Sequence, residues 1–395
     1  MSGIFLPIRI EFGKDSSLKV GSEFSSLKCK KVMIVSDKGV INSGLIERIT
    51  KSITEAHIQA VIFDGVEPDP NIKCMETARD FYISENCDGI LAVGGGSSID
   101  TAKGAAVLVT NSEPIVSMAG VDKVNNPLPP LIAIPTTCGT GSEVTNVTVV
   151  TDNDHFKMPI VSTHLIPKVA MLDPNLLVSL PSKLISSTGL DALTHAIEAL
   201  TNNTQNWYAD SCALHAIRLI GIHLCQATNN RDIENLSQML YASTLAGVAF
   251  TLSRLGLVHA MSHPVSGLAG VPHGVANAVL LPYVMSFNSI GNPGGYALVA
   301  SALGIEPQEN DIATALAGVK EVIKLNKQLD IPKSFRELGV NEALIPHMVE
   351  DTFKSGNIAI NPRHVSKFDV EQIYKLSFSG ESPIALFDSE TITKN

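Results

Sequence analysis

Four histidines and one aspartate in the second half of the chain have the side-chain types and spacing of metal ligands. Asp191 and His195 are four residues apart, so a helix would place both on one face, one turn apart. His259 and His263 repeat this spacing, and His273 follows next to the start of a further helical pattern. Small apolar residues surround all five. One such histidine alone is most simply a hydrogen-bonded core residue, but several imidazoles and a carboxylate in an apolar interior predict a divalent metal site.

Length and composition limit the classes of protein to which the chain can belong. With 395 residues, 45% of them hydrophobic and 17% charged, it is expected to fold into two well-packed domains. A net charge of −10 without any basic run argues against nucleic acid or an anionic membrane as a partner. The first residues lack the pattern of a signal peptide, and the longest apolar run, 275–287, is too short to span a bilayer. Six scattered cysteines without a CxxC pair fit reduced thiols and a cytoplasmic location.

Short β-branched runs alternate with amphipathic patterns through the first 180 residues. This alternation predicts a parallel sheet with helices on both faces. The expected strands are 31–36, 60–63, 89–93 and 131–134, and the expected helices are 42–57, 71–85 and 97–109.

Helical patterns replace the β-branched runs after residue 181. We therefore expect an α/β domain over 1–181 and an all-helical domain over 182–395, with a hinge at 173–181, where two prolines occur. The expected helices are 182–200, 206–227, 231–252, 257–270, 274–287, 309–328, 343–355 and 369–377.

A glycine-rich turn in the α/β part has the character of a phosphate-binding loop. Gly94, Gly95, Gly96 and Ser97 stand between an expected strand and an expected helix. Glycines let backbone N–H groups approach a pyrophosphate, and the helix N-terminus favours its negative charge. Ile99 occupies the place of the third glycine in the usual dinucleotide fingerprint. The turn therefore predicts either a dinucleotide site or an ordinary tight turn capped by Ser97.

Two further features would complete a dinucleotide site. A second glycine-rich turn, 135–143, follows the next strand and contains Thr136 and Thr137. Turns at the ends of neighbouring strands form one crevice, where open α/β sheets bind ligands. Asp37 comes just after the first expected strand, where a carboxylate could accept from ribose hydroxyls and repel a 2′-phosphate. Its alternative role is that of a plain turn residue before Gly39.

Four motifs, in this order and at this spacing, resemble those of the iron-containing (group III) alcohol dehydrogenases, and the match runs from about residue 5 to residue 378. They are Gly94-Gly95-Gly96-Ser97-x-x-Asp100, Pro135-Thr136-Thr137-x-Gly139-Thr140-Gly141-Ser142-Glu143, Gly189-x-Asp191-Ala192-x-x-His195-x-x-Glu198 and His259…His263…His273-Gly274. The resemblance implies a dinucleotide-binding α/β domain, a helical domain and an active site in the cleft between them. It also implies self-association.

The resemblance also implies roles for individual residues. The metal, usually Fe(II), would be held by Asp191, His195, His259 and His273, with His263 near nicotinamide and substrate. The residues expected to contact NAD are Asp37, Gly94, Gly95, Gly96, Ser97, Asp100, Thr136, Thr137 and Lys157. Three imidazoles and one carboxylate leave a divalent site with about one positive charge, which suits a substrate alkoxide. The ligand types alone do not distinguish iron from zinc or manganese. His263 is expected either to relay a proton or to form a steric wall.

Several segments depart from the family pattern and leave the substrate open. Cys138 replaces a small residue in the second glycine-rich turn, segment 355–363 is of a longer form, and the tail 380–395 has no family counterpart. Arg254 stands where small residues are usual. Its guanidinium would either pair structurally or face solvent, or it would bind an acidic group on a short aldehyde such as sulfoacetaldehyde or succinic semialdehyde.

The expected activity is hydride transfer between NAD(H) and a short-chain primary alcohol or aldehyde. The first alternative is a non-redox cyclase of the dehydroquinate-synthase type, which also uses a dinucleotide and a metal. Such an enzyme needs a cluster of Lys and Arg around an acidic sugar phosphate, and the helical part has few basic residues near its histidines. The second alternative is a binding protein without turnover.

Overall fold

Nine strands lie in the part of the chain that the computed structural model describes, residues 3–153 and 156–386. They are β1 (Arg9–Phe12), β2 (Lys31–Val35), β3 (Gln59–Phe63), β4 (Gly89–Gly94), β5 (Gly120–Val121), β6 (Leu131–Pro135), β7 (Val147–Thr151), β8 (Lys157–Val161) and β9 (Val169–Leu172). Six of them form one sheet in the order β1-β9-β6-β4-β2-β3, and every neighbouring pair in it is parallel. The predicted parallel sheet is confirmed.

The strands predicted from β-branched runs are β2, β3, β4 and β6, whose bounds differ from the expected ones by one residue at most. Residues 32–35 of β2 and all of β4 and β6 are buried, which is why these strands read as continuous apolar runs. Strands β1 and β9, each of four residues, were not predicted. A second, three-stranded sheet of order β5-β8-β7, with β7 and β8 antiparallel, was also not foreseen.

Five helices follow or precede the strands of the larger sheet. They are α1 (Val20–Ser26), α2 (Lys38–Asn42), α3 (Leu45–Glu55), α4 (Ile72–Ser84) and α5 (Gly96–Thr110). The helix expected over 42–57 is α3, which begins only at Leu45 because Gly44 before it adopts a left-handed conformation (φ 77°). Helix α2 was not predicted. Helix α5 begins directly after β4, so the first glycine-rich turn stands at the carboxyl end of a central strand.

The second half of the described chain is helical. Its helices are α6 (Ser182–Thr201), α7 (Trp207–Asn230), α8 (Ile233–Ser253), α9 (Leu257–Ala269), α10 (His273–Asn288), α11 (Pro293–Ala302), α12 (Asp311–Gln328), α13 (Ile345–Thr352) and α14 (Lys367–Ser379). Only α11 was missed. Its start, Asn292-Pro293-Gly294-Gly295, reads as a loop, but the Asn292 side chain accepts from the Gly295 N–H and Pro293 occupies the first turn.

The described residues pack into two compact units. One consists of Ser182–Asn230 with the described residues from Val248 onwards, and the other of Gly3–Pro181 with Arg231–Gly247. The sequence interpretation assigned all of 182–395 to one helical domain and did not foresee that most of α8 packs with the α/β residues. This packing is close: a Cβ on Gly141 would lie 2.6 Å from the Cα of Gly247. Most of the tail 380–395 lies outside the described residues.

Helices α8 and α9 are separated by a sharp break. Arg254, just after α8, has a left-handed backbone (φ 67°), and the two helix axes differ in direction by 107°. Among the described helices, none is by itself long and apolar enough to cross a bilayer, and only this bent pair reaches that length and composition together.

Candidate functional site

The predicted metal ligands come together within one compact unit. Asp191 and His195 lie one turn apart on α6, His259 lies on α9, and His273 begins α10. The Asp191 Oδ1 atom is 3.8 Å from Nε2 of His195, 3.8 Å from Nε2 of His259 and 3.7 Å from Nε2 of His273. Three imidazole nitrogens therefore surround one carboxylate oxygen.

The separations between these atoms fit a bound divalent ion. Ligand atoms about 2.1 Å from a common ion at tetrahedral angles are about 3.4 Å apart, within a few tenths of an ångström of the observed distances. The donor atoms of Asp191, His195 and His259 all lie within 4.8 Å of one another, and all three side chains are buried. His273 is half-buried, so it stands on the more open side of the set. A carboxylate with three imidazoles suits iron, zinc or manganese.

The electrostatics of the site also favour a positive charge. Burial by itself raises the pKa of Asp191, but the imidazoles of His195, His259 and His273 outweigh burial and hold this pKa well below its usual range. Burial lowers the pKa of His259, whereas the carboxylates of Glu198 and Asp191 raise it, and the resulting value is about 9. Carboxylates thus dominate the surroundings of His259, as a cation site requires.

Glu198, to which the sequence analysis gave no role, contacts one of the predicted ligands. Its Oε2 lies 2.6 Å from Nδ1 of His259, the nitrogen that faces away from Asp191. The same carboxylate accepts from the backbone N–H of Gly256 at 3.0 Å and from that of Val258 at 2.5 Å. It therefore fixes the ring of His259 and also satisfies N–H groups at the start of α9. The available signal was its position, one further turn along the helix face that carries Asp191 and His195.

His263 lies beside the ligand set, as the sequence analysis expected. Its ring centroid is 5.2 Å from that of His273 and 6.1 Å from that of His259. The ring of Phe250 lies against His195, with 4.6 Å between centroids, and restricts the motion of that imidazole. Both roles expected for His263, proton relay and steric wall, stay predictions.

Arg254 has a structural partner. One of its guanidinium nitrogens donates to the Gly356 carbonyl at 3.2 Å, and Asn202 donates to the Arg254 carbonyl at 3.3 Å. The guanidinium thus holds the segment 355–363 to the turn between α8 and α9. This contact matches the structural alternative for Arg254, while contact with a substrate anion stays a prediction.

The two glycine-rich turns lie against each other at the carboxyl end of the sheet. A Cβ on Gly95 would lie 3.1 Å from Cγ2 of Thr137, and a Cβ on Gly96 would lie 2.7 Å from Cγ2 of Thr140. Thr136 ties the turns together, because its N–H donates to the Gly94 carbonyl at 3.0 Å. The glycines therefore allow the two turns to pack closely where α5 begins, and the N–H groups at a helix N-terminus favour an anion such as a pyrophosphate.

The surroundings of the first glycine-rich turn decide which residue caps α5 and where the carboxylate of Asp37 lies. Ser97 is not the capping residue of α5: the N-cap is Gly95, and Ser97 lies inside the helix. The alternative of a serine-capped turn is therefore wrong. Asp37 caps α2 by accepting from the Val40 N–H at 3.0 Å, and its other oxygen accepts from the Ser98 hydroxyl at 3.4 Å. Its carboxylate thus lies beside the glycine-rich turn.

Asp100 and Lys157, both predicted to contact NAD, make other contacts in the structure. Asp100 accepts from the Ser142 hydroxyl at 2.9 Å and from the Val149 N–H at 3.3 Å, so it braces the second glycine-rich turn. Lys157 is buried, and its ammonium lies 2.7 Å from Oδ1 of Asp69. Direct contact of either residue with a dinucleotide stays a prediction.

A fully buried lysine stands behind the second glycine-rich turn. The Lys103 ammonium donates to the carbonyls of Ser142, Thr145 and Val147 at 2.7, 2.9 and 2.9 Å. Burial lowers the pKa of Lys103 to about 8, although the charges of Asp100 and Glu143 raise it in part. The ammonium is therefore the common donor that shapes the end of this turn.

Comparison with known proteins identifies relatives over almost the whole chain. The iron-containing alcohol dehydrogenase family matches residues 7–174, and the C-terminal domain of the Fe-containing alcohol dehydrogenase family matches residues 185–378. The 1,3-propanediol dehydrogenase of Citrobacter freundii is 39% identical over 372 residues, which cover 93% of this chain and 96% of that protein. The NAD-dependent methanol dehydrogenase of Bacillus methanolicus is 37% identical over 380 residues, 95% of this chain and 99% of that protein.

A solved structure is also similar to this chain over nearly its whole length. The crystal structure of a 1,3-propanediol oxidoreductase superimposes with a TM-score of 0.93 at 38% identity, over 96% of this chain and 100% of that one. The α/β fold with a helical second half, the ligand motifs and the relatives lead to one conclusion. The chain belongs to the iron-containing alcohol dehydrogenase family.

Proposed function

We propose that the protein is a metal- and NAD-dependent oxidoreductase that interconverts a short-chain primary alcohol and its aldehyde. The observation that carries this proposal is the convergence of three imidazole nitrogens on Asp191 Oδ1 within one compact unit. Family membership supports the general class, alcohol- or aldehyde-acting oxidoreductase. It also weighs against the cyclase and against a binding protein without turnover.

The ion would be held by Asp191, His195, His259 and His273. The family suggests that this ion is Fe(II). A divalent ion in this set supplies Lewis acidity toward a carbonyl or alcohol oxygen. Glu198 keeps the Nδ1 proton of His259 directed at itself, so that Nε2 presents its lone pair to the ligand set. His263 lies beside His273 and is the residue we assign to moving a proton between the substrate oxygen and solvent.

We infer that NAD(H) is the preferred dinucleotide. The pyrophosphate would be received at Gly94, Gly95, Gly96 and Ser97, since α5 begins at that point and its first N–H groups favour an anion. The carboxylate of Asp37 lies beside this turn, where it would accept from a ribose 2′-hydroxyl and repel a 2′-phosphate.

A neutral short-chain aldehyde is the substrate class that we favour. The guanidinium of Arg254 already donates to the Gly356 carbonyl, and this contact favours a structural role over recognition of an acidic aldehyde. A homo-oligomeric state and a cytoplasmic location stay predictions from the sequence.

The decisive experiment measures NADH oxidation by metal-free protein reloaded with Fe(II), Zn(II) or Mn(II). The panel contains neutral aldehydes of two to four carbons, with succinic semialdehyde and sulfoacetaldehyde as acidic members. We expect turnover that requires the added ion and is highest on neutral aldehydes. Absence of NADH oxidation on the whole panel with every ion would refute the proposed activity, and turnover that is equal with and without metal would refute the role of the ligand set.

A further inference from the structure

A buried asparagine, Asn277, stands among the predicted metal ligands and has no role so far. It lies on α10 four residues after His273, so both side chains project from one face of the helix. Its Nδ2 is 2.6 Å from Asp191 Oδ1, 3.1 Å from Nε2 of His273 and 3.2 Å from Nε2 of His259. One amide nitrogen is thus within hydrogen-bonding distance of three predicted ligand atoms.

The shortest of these contacts defines what the amide does. An N–H group of Asn277 donates to the carboxylate oxygen that the three imidazoles surround, and this bond does not use the imidazole lone pairs. A hydrogen bond from a neutral donor fixes the rotation of a carboxylate and selects which of its lone pairs remains for an ion. Of the three contacts, the bond to Asp191 is therefore the one that can persist while the imidazoles bind an ion.

The other end of the amide indicates that packing alone does not explain an asparagine here. The side chain is fully buried, and its Oδ1 has no hydrogen-bond partner among the described residues. A buried carbonyl oxygen without a donor destabilises a fold, whereas leucine, which has a similar shape, carries no such cost. The favourable bond at Nδ2 must offset this cost, and its partner is a metal ligand.

We propose that Asn277 is a positioning residue of the metal site, which orients the Asp191 carboxylate toward the ion through its amide N–H. This proposal rests on the metal site proposed above. Outer residues that orient metal ligands typically change metal affinity about 10- to 100-fold when they are replaced. We expect an effect of this size for Asn277 without any change in the number of metal ligands.

The test compares Asn277→Leu with Asn288→Leu. Asn288 is also buried on α10, but its amide pairs reciprocally with Asn361. Each replacement removes a buried amide from the same helix, so any effect of losing a buried amide in itself is common to both variants. The affinity for Co(II), measured by competition with a chromophoric chelator, should fall about 10- to 100-fold in Asn277→Leu only. The visible spectrum of bound Co(II), which reports ligand geometry, should change in the same variant only.

Wild-type Co(II) affinity and spectrum in Asn277→Leu would overturn the role of Asn277, and so would equal losses in both variants. If Asn277→Leu does not fold, Asn277→Ser serves instead. Its hydroxyl keeps one donor on a shorter side chain, so we expect weaker Co(II) binding than in the wild type. Unchanged binding in Asn277→Ser would again count against the proposal. Failure of the wild-type protein to bind Co(II) would overturn the proposed metal site itself, and Asn277 would lose its assigned role with it.

Discussion

The carboxylate of Glu198 and the imidazole of His259 form one buried pair, with 2.6 Å between Oε2 and Nδ1. Because Glu198 also accepts from two backbone N–H groups at the start of α9, the orientation of His259 and the position of its helix depend on the same side chain. A change at Glu198 is therefore expected to reach the metal site through geometry, without the loss of a ligand.

Glu198→Gln should weaken metal binding about 10- to 100-fold. Glutamine offers one acceptor oxygen to three donors, so at least one of them is left against an amide N–H group. The measurement is metal affinity by chelator competition, with circular dichroism to confirm folding. Glu350→Gln is the control, since Glu350 is exposed and pairs with Lys367 at the surface. Equal affinity in wild type and Glu198→Gln would show that this pair does not support the metal site.

His259→Ala should remove bound metal and turnover together and leave the α/β unit folded, because the imidazole is a predicted ligand in the other compact unit. Metal content by elemental analysis and far-ultraviolet circular dichroism are the measurements. His347→Ala replaces an exposed histidine and should keep both metal and activity. Full metal content and activity in His259→Ala would contradict the ligand assignment.

Asp37 should determine the preference for NAD(H) over NADP(H). Asp37→Gly removes both the charge and the cap of α2, whereas Asp37→Ser removes the charge and keeps an acceptor for the Val40 N–H. Both variants should narrow the ratio of catalytic efficiencies for the two cofactors. Asp64→Ser, at the exposed end of the neighbouring strand, should leave the ratio unchanged. Equal use of both cofactors by the wild type would exclude this role of Asp37.

Replacement of Arg254 separates its two possible roles. If the guanidinium binds an acidic substrate group, its loss should reduce the catalytic efficiency on succinic semialdehyde about 10- to 100-fold, and butanal, of equal carbon number, should be little affected. From the contact with Gly356 we expect equal, small losses on both aldehydes. Arg254→Gly is preferable to Arg254→Ala, because the left-handed backbone suits glycine. Arg231→Gly is the matched control, since Arg231 is an exposed arginine that is also left-handed (φ 51°).

Lys103→Met should destabilise the protein by about 3–5 kcal/mol, because it leaves the carboxylates of Asp100 and Glu143 buried without their cation. Three carbonyls would also lose their common donor. Urea unfolding is the measurement. Lys51→Met, at an exposed lysine, should change the free energy of unfolding by no more than about 0.5 kcal/mol. A similar small change in Lys103→Met would mean that the turn does not depend on its buried ammonium.

The predicted ligands lie close together in the structure, and the sequence could indicate them because its signals are local. Asp191 with His195, and His259 with His263, are helix neighbours at i and i+4. Two residues at this spacing share one face of their helix however the helices pack together. Glu198 is three residues after His195 and Asn277 is four after His273, so each shares a helix face with a predicted ligand. Their partners, however, lie on other helices, and the pairs join residues 61 and 86 positions apart in the chain. Spacing on one helix therefore gave no reason to assign them roles.

The first glycine-rich turn shows a different limit of prediction from the sequence. The sequence placed it correctly between a strand and a helix expected from residue 97, and it left a turn capped by Ser97 as the alternative to a dinucleotide site. The helix begins one residue earlier, at Gly96, since the extended backbone of Gly95 already serves as the N-cap. Strands β1 and β9 were missed because each contains only one β-branched residue and so forms no β-branched run, and their pairing is visible only in three dimensions.

The contact between Gly141 and Gly247 determines when the α/β unit can finish folding during synthesis. The α/β unit contains a segment of chain that leaves the ribosome only after the whole of α6 and α7. Residues 3–181 alone therefore emerge with the surface around Gly141 uncovered, and this unit cannot complete its packing until Gly247 has been added. An exchange of halves between two family members at residue 181 would likewise separate each glycine from the backbone to which it is fitted.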